Sequence, residues 1–151
     1  METTLGKDQA CVFCQIVAGE TEASLVYQDD LVTATMDLYP VTPGHVLVLP
    51  NRHATLLPEI EPATIGRMFT IGAKIDRALR RVGIRCEAVS LYLADGAAAG
   101  QVVAHTHLHV VPRFPGDACG LRLHTGPAGT PPRSLLQEHA DLIRGFIETD
   151  I

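Results

Sequence analysis

Hydrophobic residues along this chain change their spacing several times, and each change marks an element. Val12 to Ala18 is a short apolar stretch ending at Gly19, which predicts one or two helical turns with a glycine stop. Leu25 to Gln28 and Leu31 to Met36 are rich in β-prone side chains, with Asp29-Asp30 between them as a hairpin turn. The breaker-rich loop from Pro40 to Gly44 leads into His45-Val46-Leu47-Val48-Leu49, a strand closed by Pro50. From Pro62 to Val82 the spacing lengthens to three and four residues, so Ile65, Met68, Phe69, Ile75, Leu79 and Val82 share one helical face. Pro62 suits the first turn of that helix, Arg77, Arg80 and Arg81 its last, and Gly83 its termination. Two more strands, Ala88 to Leu93 and Val103 to Val111, flank a small-residue loop from Asp95 to Gly100. After Pro112 the chain is rich in Gly and Pro until Ser134. With Glu138 nearby, Ser134 opens a last helix that includes Leu135, Leu136, Leu142, Ile143 and Phe146.

These elements predict an α+β fold. Short connections between strands favour antiparallel pairing, giving a five-stranded antiparallel sheet. One long helix covers a face of it, with shorter helices at the N- and C-terminal ends. A length of 151 residues suits one domain with one core, here 11–151 after a flexible N-terminus over 1–10.

Composition narrows the class of function. A hydrophobic fraction of 46% is that of a globular protein. No apolar run approaches the ~20 residues of a membrane helix, and Met1 to Ala10 lacks the basic-then-apolar order of a secretory signal. The expected location is therefore cytoplasmic, with no membrane partner. A net charge of -5 argues against a nucleic-acid partner, which calls for a basic face. It still permits a small phosphate ligand held locally by histidines and backbone N–H groups.

The strongest chemical signal is His105-Thr106-His107-Leu108-His109-Val110-Val111-Pro112. On a strand the three histidines project from one face, ~6.5–7 Å apart. Three imidazoles whose nitrogens all need partners make a poor core. A solvated polar strand face is the plain alternative, and a three-histidine metal site is another. Cys11 and Cys14 form a C-x-x-C pair, a spacing familiar from metal fingers. A tetrahedral site needs two further ligands, for which His53 and His105 are candidates. Without a metal, the pair is two reduced thiols on a short helix. Cys86 reads as a small buried apolar residue, and Cys119 carries no signal.

Taken together, three blocks resemble the histidine triad (HIT) family. They are Cys11-Val12-Phe13-Cys14-Gln15-Ile16, then Asp37-Leu38-Tyr39-Pro40-Val41-Thr42-Pro43-Gly44-His45, then Ala99-Gly100-Gln101 running into His105-Thr106-His107-Leu108-His109. Their order and separation match from about Cys11 to Arg113. The resemblance implies a HIT-like fold in a homodimer. It also implies hydrolysis of a purine nucleotide or nucleoside phosphate, namely a nucleoside phosphoramidate or dinucleoside polyphosphate. His107 would be the nucleophile that becomes nucleotidylated, His109 would stabilise charge at the phosphate and leaving atom, and His45 would support the triad. Asp37 would accept the ribose hydroxyls. Phe13, Ile16 and Leu38, with Val12, would line the base pocket, and backbone N–H groups at Gly100 and Gln101 would meet the phosphate.

The C-x-x-C branch resembles bacterial members and galactose-1-phosphate uridylyltransferases. That likeness implies structural Zn²⁺ on Cys11, Cys14, His53 and His105. His109 stands where transferases carry Gln, which favours hydrolysis. Three positions depart from the family: Thr35 in place of a pocket Phe, Ala94 in place of Asn or Gln, and Val102 in place of Ser or Thr. Each lost neutral hydrogen bond removes about 0.5–1.5 kcal/mol. A nucleotide-binding or regulatory module with little turnover is the alternative these departures support.

Overall fold

The computed structural model describes residues 10–119 and 131–149. Residues 1–9 of the expected flexible terminus, and the centre of the Gly/Pro-rich stretch, lie outside them. Backbone contacts divide the chain into two units, Met1–Ala118 and Cys119–Ile151.

The first unit holds the sheet. Strands β1 (Leu25–Gln28), β2 (Val32–Met36), β3 (Val46–Pro50), β4 (Ala88–Tyr92) and β5 (Leu108–Arg113) follow α1 (Val12–Ala18), with α2 (Pro62–Leu79) between β3 and β4. Spatial order is β1-β2-β3-β5-β4, and every neighbouring pair is antiparallel. The α+β architecture expected from the spacing is thus the one observed.

Alternation along the central strands assigns the two faces. Val32, Ala34, Val46, Val48, Leu108 and Val110 are buried together with Met68, Ile71, Ile75 and Leu79 of α2. The opposite residues, Leu47 and Leu49, pack with Cys11, Phe13 and Cys14 of the α1 region. One face therefore builds the main core, and the other is left to α1 and the site.

Helix α2 lies close against the sheet because residue 72 is glycine. A Cβ there would stand 3.2 Å from side-chain carbons of both Leu108 and Leu91. The helix stops at Leu79 rather than Val82, and its buried stripe runs through Met68, Ile71, Gly72, Ile75 and Leu79. Phe69 and Val82, expected on the buried face, are 46% and 61% exposed. Phe69 sits one residue off the stripe, and Val82 lies beyond the last helical turn. Cys86 is half-buried at the core edge, where its thiol donates to the Ala88 carbonyl.

Strand β5 brings the larger correction. It begins at Leu108, so His105 and His107 precede the strand instead of lying on it. The segment before Leu108 bonds sideways to neighbouring loops: Thr106 N–H donates to the Ala54 carbonyl at 2.7 Å, and Thr106 Oγ1 to that of Thr55 at 3.1 Å.

In the second unit, α3 spans Arg133–Thr149, 17 residues against 18 in α2. Its Leu142 and Ile143 are exposed. No helix among the described residues is long and apolar enough to cross a membrane.

Candidate active site and metal centre

Strand register sets the centre of the site. His109 on β5 lies directly opposite Leu47 of β3 on one side and Tyr92 of β4 on the other. His45 is two residues before Leu47, which makes it a same-face diagonal neighbour of His109. His45 Nε2 accordingly meets His109 Nδ1 at 2.9 Å. The turn delivering His45 needs glycine at position 44, where φ is +96° and a Cβ would sit 2.9 Å from Ile84 Cγ2. Thr42 Oγ1 donates to the Pro112 carbonyl at 2.6 Å and ties the same turn to β5.

Backbone partners fix the tautomers, because a main-chain N–H only donates and a carbonyl only accepts. Val41 N–H donates to His45 Nδ1 at 3.1 Å, so neutral His45 carries its proton on Nε2 and gives it to His109 Nδ1. Neutral His109 then keeps its own proton on Nε2. His107 Nδ1–H donates to the His105 carbonyl at 2.8 Å, which leaves the Nε2 lone pair available. The His107 and His109 rings are 4.8 Å apart, and Phe13 packs edge-on to His107 at 5.1 Å. Burial pushes His109 down to about 4, reinforced by His107 and His45 against the opposing pull of Asp37. His45 is lowered too, again first by burial. Both rings are neutral at pH 7.

These histidines open onto a cavity of about 540 Å³. Its walls include Val12, Phe13 and Ile16 of α1, Asp37 and Leu38 after β2, and Gly100. The volume fits a ligand of nucleotide size. Among the described residues, no Lys or Arg lines it.

Cys11, Cys14, His53 and His105 come together beside this cavity, with ligand atoms all within 4.8 Å of one another. Cys11 Sγ and Cys14 Sγ lie 3.5 and 3.6 Å from His105 Nδ1, and Cys14 Sγ lies 3.2 Å from His53 Nδ1. A tetrahedral Zn²⁺ with bonds near 2.3 Å to sulfur and 2.0–2.1 Å to nitrogen has S···N edges of about 3.5 Å. His105 Nε2–H donates to the Pro50 carbonyl at 2.9 Å, so its Nδ1 lone pair faces the thiols, as a metal ligand requires. Burial lowers the ring to about 4 and keeps it neutral. The four residues fit a structural metal ion, and all four positions come from protein.

A family model described as the HIT domain matches residues 18–116. The chain belongs to this family. An uncharacterized HIT-like protein of Borreliella burgdorferi is 41% identical over 113 residues, 74% of this chain and 81% of the relative. The adenylylsulfatase HINT3 of Arabidopsis thaliana is 36% identical over 111 residues, 74% of this chain and 55% of its own length. Among solved structures, a Zn-bound histidine triad family protein from Mycobacterium smegmatis superposes with a TM-score of 0.71 at 34% identity, over 95% of this chain and 99% of that one.

Several HIT positions behave differently from the sequence expectation. The backbone N–H groups of Gly100 and Gln101 already donate within their own loop, to Ala97 and Gly96 carbonyls. The Gln101 side chain staples loops together, donating to Thr55 and Val103 carbonyls and accepting from Gly96 N–H. Thr35 is buried and its hydroxyl donates to the Ser24 carbonyl, so it adds no polar group to the cavity it lines. Ala94 is buried and outside the lining, whereas Val102 stands on the rim, 92% exposed. Met36, Tyr39 and Tyr92 also line the cavity and were not singled out from sequence. Tyr92 had a usable signal, since it ends the strand adjacent to His109.

Proposed function

We propose that this protein is a nucleotide hydrolase that cleaves a nucleoside phosphoramidate or dinucleoside polyphosphate through a covalent nucleotidyl intermediate on His107. The observation that carries this reading is the bond from His107 Nδ1–H to the His105 carbonyl, because it leaves the Nε2 lone pair as a nucleophile beside the cavity. The family match and the adenylylsulfatase relative support the same class of chemistry.

In the first step His107 Nε2 attacks the α-phosphorus, forming a P–N bond. The bond to the leaving group breaks with its electron pair, and the leaving atom takes a proton from His109. In the second step water attacks phosphorus, the P–N bond to His107 breaks, and the proton of water passes to His109. Splitting one displacement into two lowers each barrier. His45 holds His109 Nδ1, which keeps the Nε2–H of His109 as the donor. Phe13, Ile16 and Leu38 form an apolar slot for the base, preferentially a purine, and Asp37 accepts ribose hydroxyls.

Zn²⁺ on Cys11, Cys14, His53 and His105 would be structural, cross-linking α1 to the loop that carries His107. This reading includes a cytoplasmic setting, where the thiols stay reduced. It also includes a homodimer, supported by β4 at the sheet edge and by the exposed Leu91 and Phe69.

The test is intact-protein mass after brief mixing with an adenosine phosphoramidate, for wild type and His107→Ala. The expected result is a nucleotidyl adduct or steady AMP release in wild type and neither in the variant. Full turnover by His107→Ala would overturn the nucleophile assignment.

A further inference from the structure

Hydrolysis of an amine-bearing substrate requires a proton donor at the leaving atom, and local hydrogen bonding makes His109 alone a weak one. Val41 N–H occupies His45 Nδ1, and the His45 Nε2 proton fills the 2.9 Å gap to His109 Nδ1. The two neutral rings then hold one more proton, on His109 Nε2. A third proton would place two hydrogens in the same gap. Giving up the Nε2 proton without a third would leave an imidazolate. The pair needs a counter-charge to become a usable acid.

Asp37 is placed to supply it. Its Oδ2 is 3.5 Å from His45 Nε2, and its side chain is 17% exposed. One oxygen of Asp37, one nitrogen of His45 and one of His109 all lie within 4.8 Å of one another. Tyr39 N–H donates to Asp37 Oδ1 at 2.8 Å, which anchors the carboxylate. The other titratable groups facing the pair are His107, in ring contact with His109 at 4.8 Å, and Tyr92 at 5.3 Å. Neither is a carboxylate. The same trio does not suit a metal ion, because Val41 N–H already uses His45 Nδ1 and a cation on Nε2 would demand an imidazolate.

We propose that Asp37 is a positioning residue for proton transfer, the counter-ion that lets the His45–His109 pair carry a third proton when the leaving group needs one. It performs this role in addition to the ribose contact assigned to it above, and the inference rests on the hydrolase reading. In the protonated pair His45 Nε2–H turns toward the carboxylate, and His109 holds protons on both nitrogens. An opposite charge within ~4–6 Å raises the affinity of such a pair for a proton by roughly one to three pH units.

The test compares wild type with Asp37→Asn, which keeps an oxygen for Tyr39 N–H. Three substrates are used: adenosine 5′-phosphoramidate, its 2′,3′-dideoxy counterpart, and the p-nitrophenyl ester of AMP, whose leaving group departs without a proton. With the phosphoramidate, kcat should fall about tenfold or more near neutral pH. The alkaline limb of its pH profile should move down by about one unit or more. The fall should persist on the dideoxy substrate, be clearly smaller on the nitrophenyl ester than on the phosphoramidate, and be partly restored by Asp37→Glu. A rise in KM alone, an unmoved alkaline limb, or a loss that vanishes on the dideoxy substrate would leave Asp37 as a ribose ligand and sink the proposal. If wild type turns over none of the three, the hydrolase reading fails and this inference falls with it.

Discussion

Gly44 offers a direct way to test whether the turn before β3 is built as described, because its glycine requirement has two separable parts. The first is conformational: φ is +96°, a region in which an L-residue is strained by roughly 1–2 kcal/mol. The second is steric. An alanine Cβ would lie 2.9 Å from Ile84 Cγ2 in the connection after α2, 3.2 Å from Pro112 Cγ of β5 and 3.3 Å from Leu79 Cδ2 of α2. Overpacking of this kind costs about 1–3 kcal/mol. Gly44→Ala should therefore lose about 2–5 kcal/mol in total, a large share of the roughly 5–15 kcal/mol available to a domain. Gly19 separates the two parts, since its φ is +71° but nothing lies within 4 Å of a Cβ there. Gly19→Ala should lose only the conformational part, about 1–2 kcal/mol. Gly66 sits in α2 with open space around it, so Gly66→Ala should gain about 0.5–1 kcal/mol from helix propensity alone. Urea unfolding followed by far-ultraviolet circular dichroism suits a chain without tryptophan. For an m-value of about 2 kcal/mol/M, the Gly44→Ala midpoint should drop by about 1–2.5 M. If Gly44→Ala and Gly19→Ala lost the same stability, the close packing of this turn against Ile84 would be refuted. His45 is the next residue, so Gly44→Ala should also depress turnover more than Gly19→Ala does.

The metal centre and the buried imidazoles yield two further expectations. Cys14→Ser should lower bound zinc, measured by elemental analysis of the purified protein, and equal metal content in variant and wild type would rule out the four-residue site. Acid should destabilise the fold between pH 6.5 and 4. Burial depresses His105 and His109 to about 4, and such groups contribute stability that is whole above 6.5 and lost as pH falls toward 4. For the deeply buried His105 the loss by pH 5 is about 2 kcal/mol. The more exposed His109 loses less because water screens it. Asp29 belongs to a lower window. Burial alone would raise its carboxyl, but donation from Val32 N–H, Arg67 and Leu31 N–H outweighs that and holds it well below the usual range, so its contribution is lost only under strongly acidic conditions. Unfolding free energies that stayed flat from pH 7 to 5 would contradict the neutral, buried state of the two histidines.

Local pattern was enough to read the sheet, since a half-buried strand writes its two faces into alternate residues. Val46 and Val48 against Leu47 and Leu49 is such a record, and both faces are occupied as that pattern demands. Grouping of Cys11, Cys14, His53 and His105 was likewise legible, from the ligand arithmetic of a C-x-x-C pair together with the family blocks. The departure of His105 and His107 from the strand was not. Alternation assumes that ladder bonds continue, whereas this segment bonds to Ala54, Thr55 and Pro50, residues about 50 positions away in the chain. Nothing in a local window reports such partners. The phase of α2 failed for a related reason: the buried stripe includes Gly72, whose value lies in what it allows Leu91 and Leu108 to approach, and a hydrophobic count passes over it.

That departure from the strand is what gives the site its division of labour. On a continuous strand the three histidines would present equivalent rings ~6.5–7 Å apart, with every backbone carbonyl directed along the sheet. Off the strand, the His105 carbonyl is released to accept His107 Nδ1–H, while the His105 ring turns its Nδ1 to the two thiols and its Nε2–H to Pro50. His109 stays in the ladder opposite Leu47, where its Nδ1 can be met by His45. Each ring thus has one nitrogen held and one left over; in the function proposed above, His105 would offer Nδ1 to a metal, His107 a lone pair to phosphorus, and His109 a proton. Three residues of one type can perform three tasks because their neighbours fix three different proton positions, and those neighbours are mostly main-chain atoms of loops. Side-chain substitution at the histidines therefore tests the chemistry, whereas substitution at Val41 or Pro50, whose main-chain atoms hold His45 and His105, tests the proton assignments on which that chemistry depends.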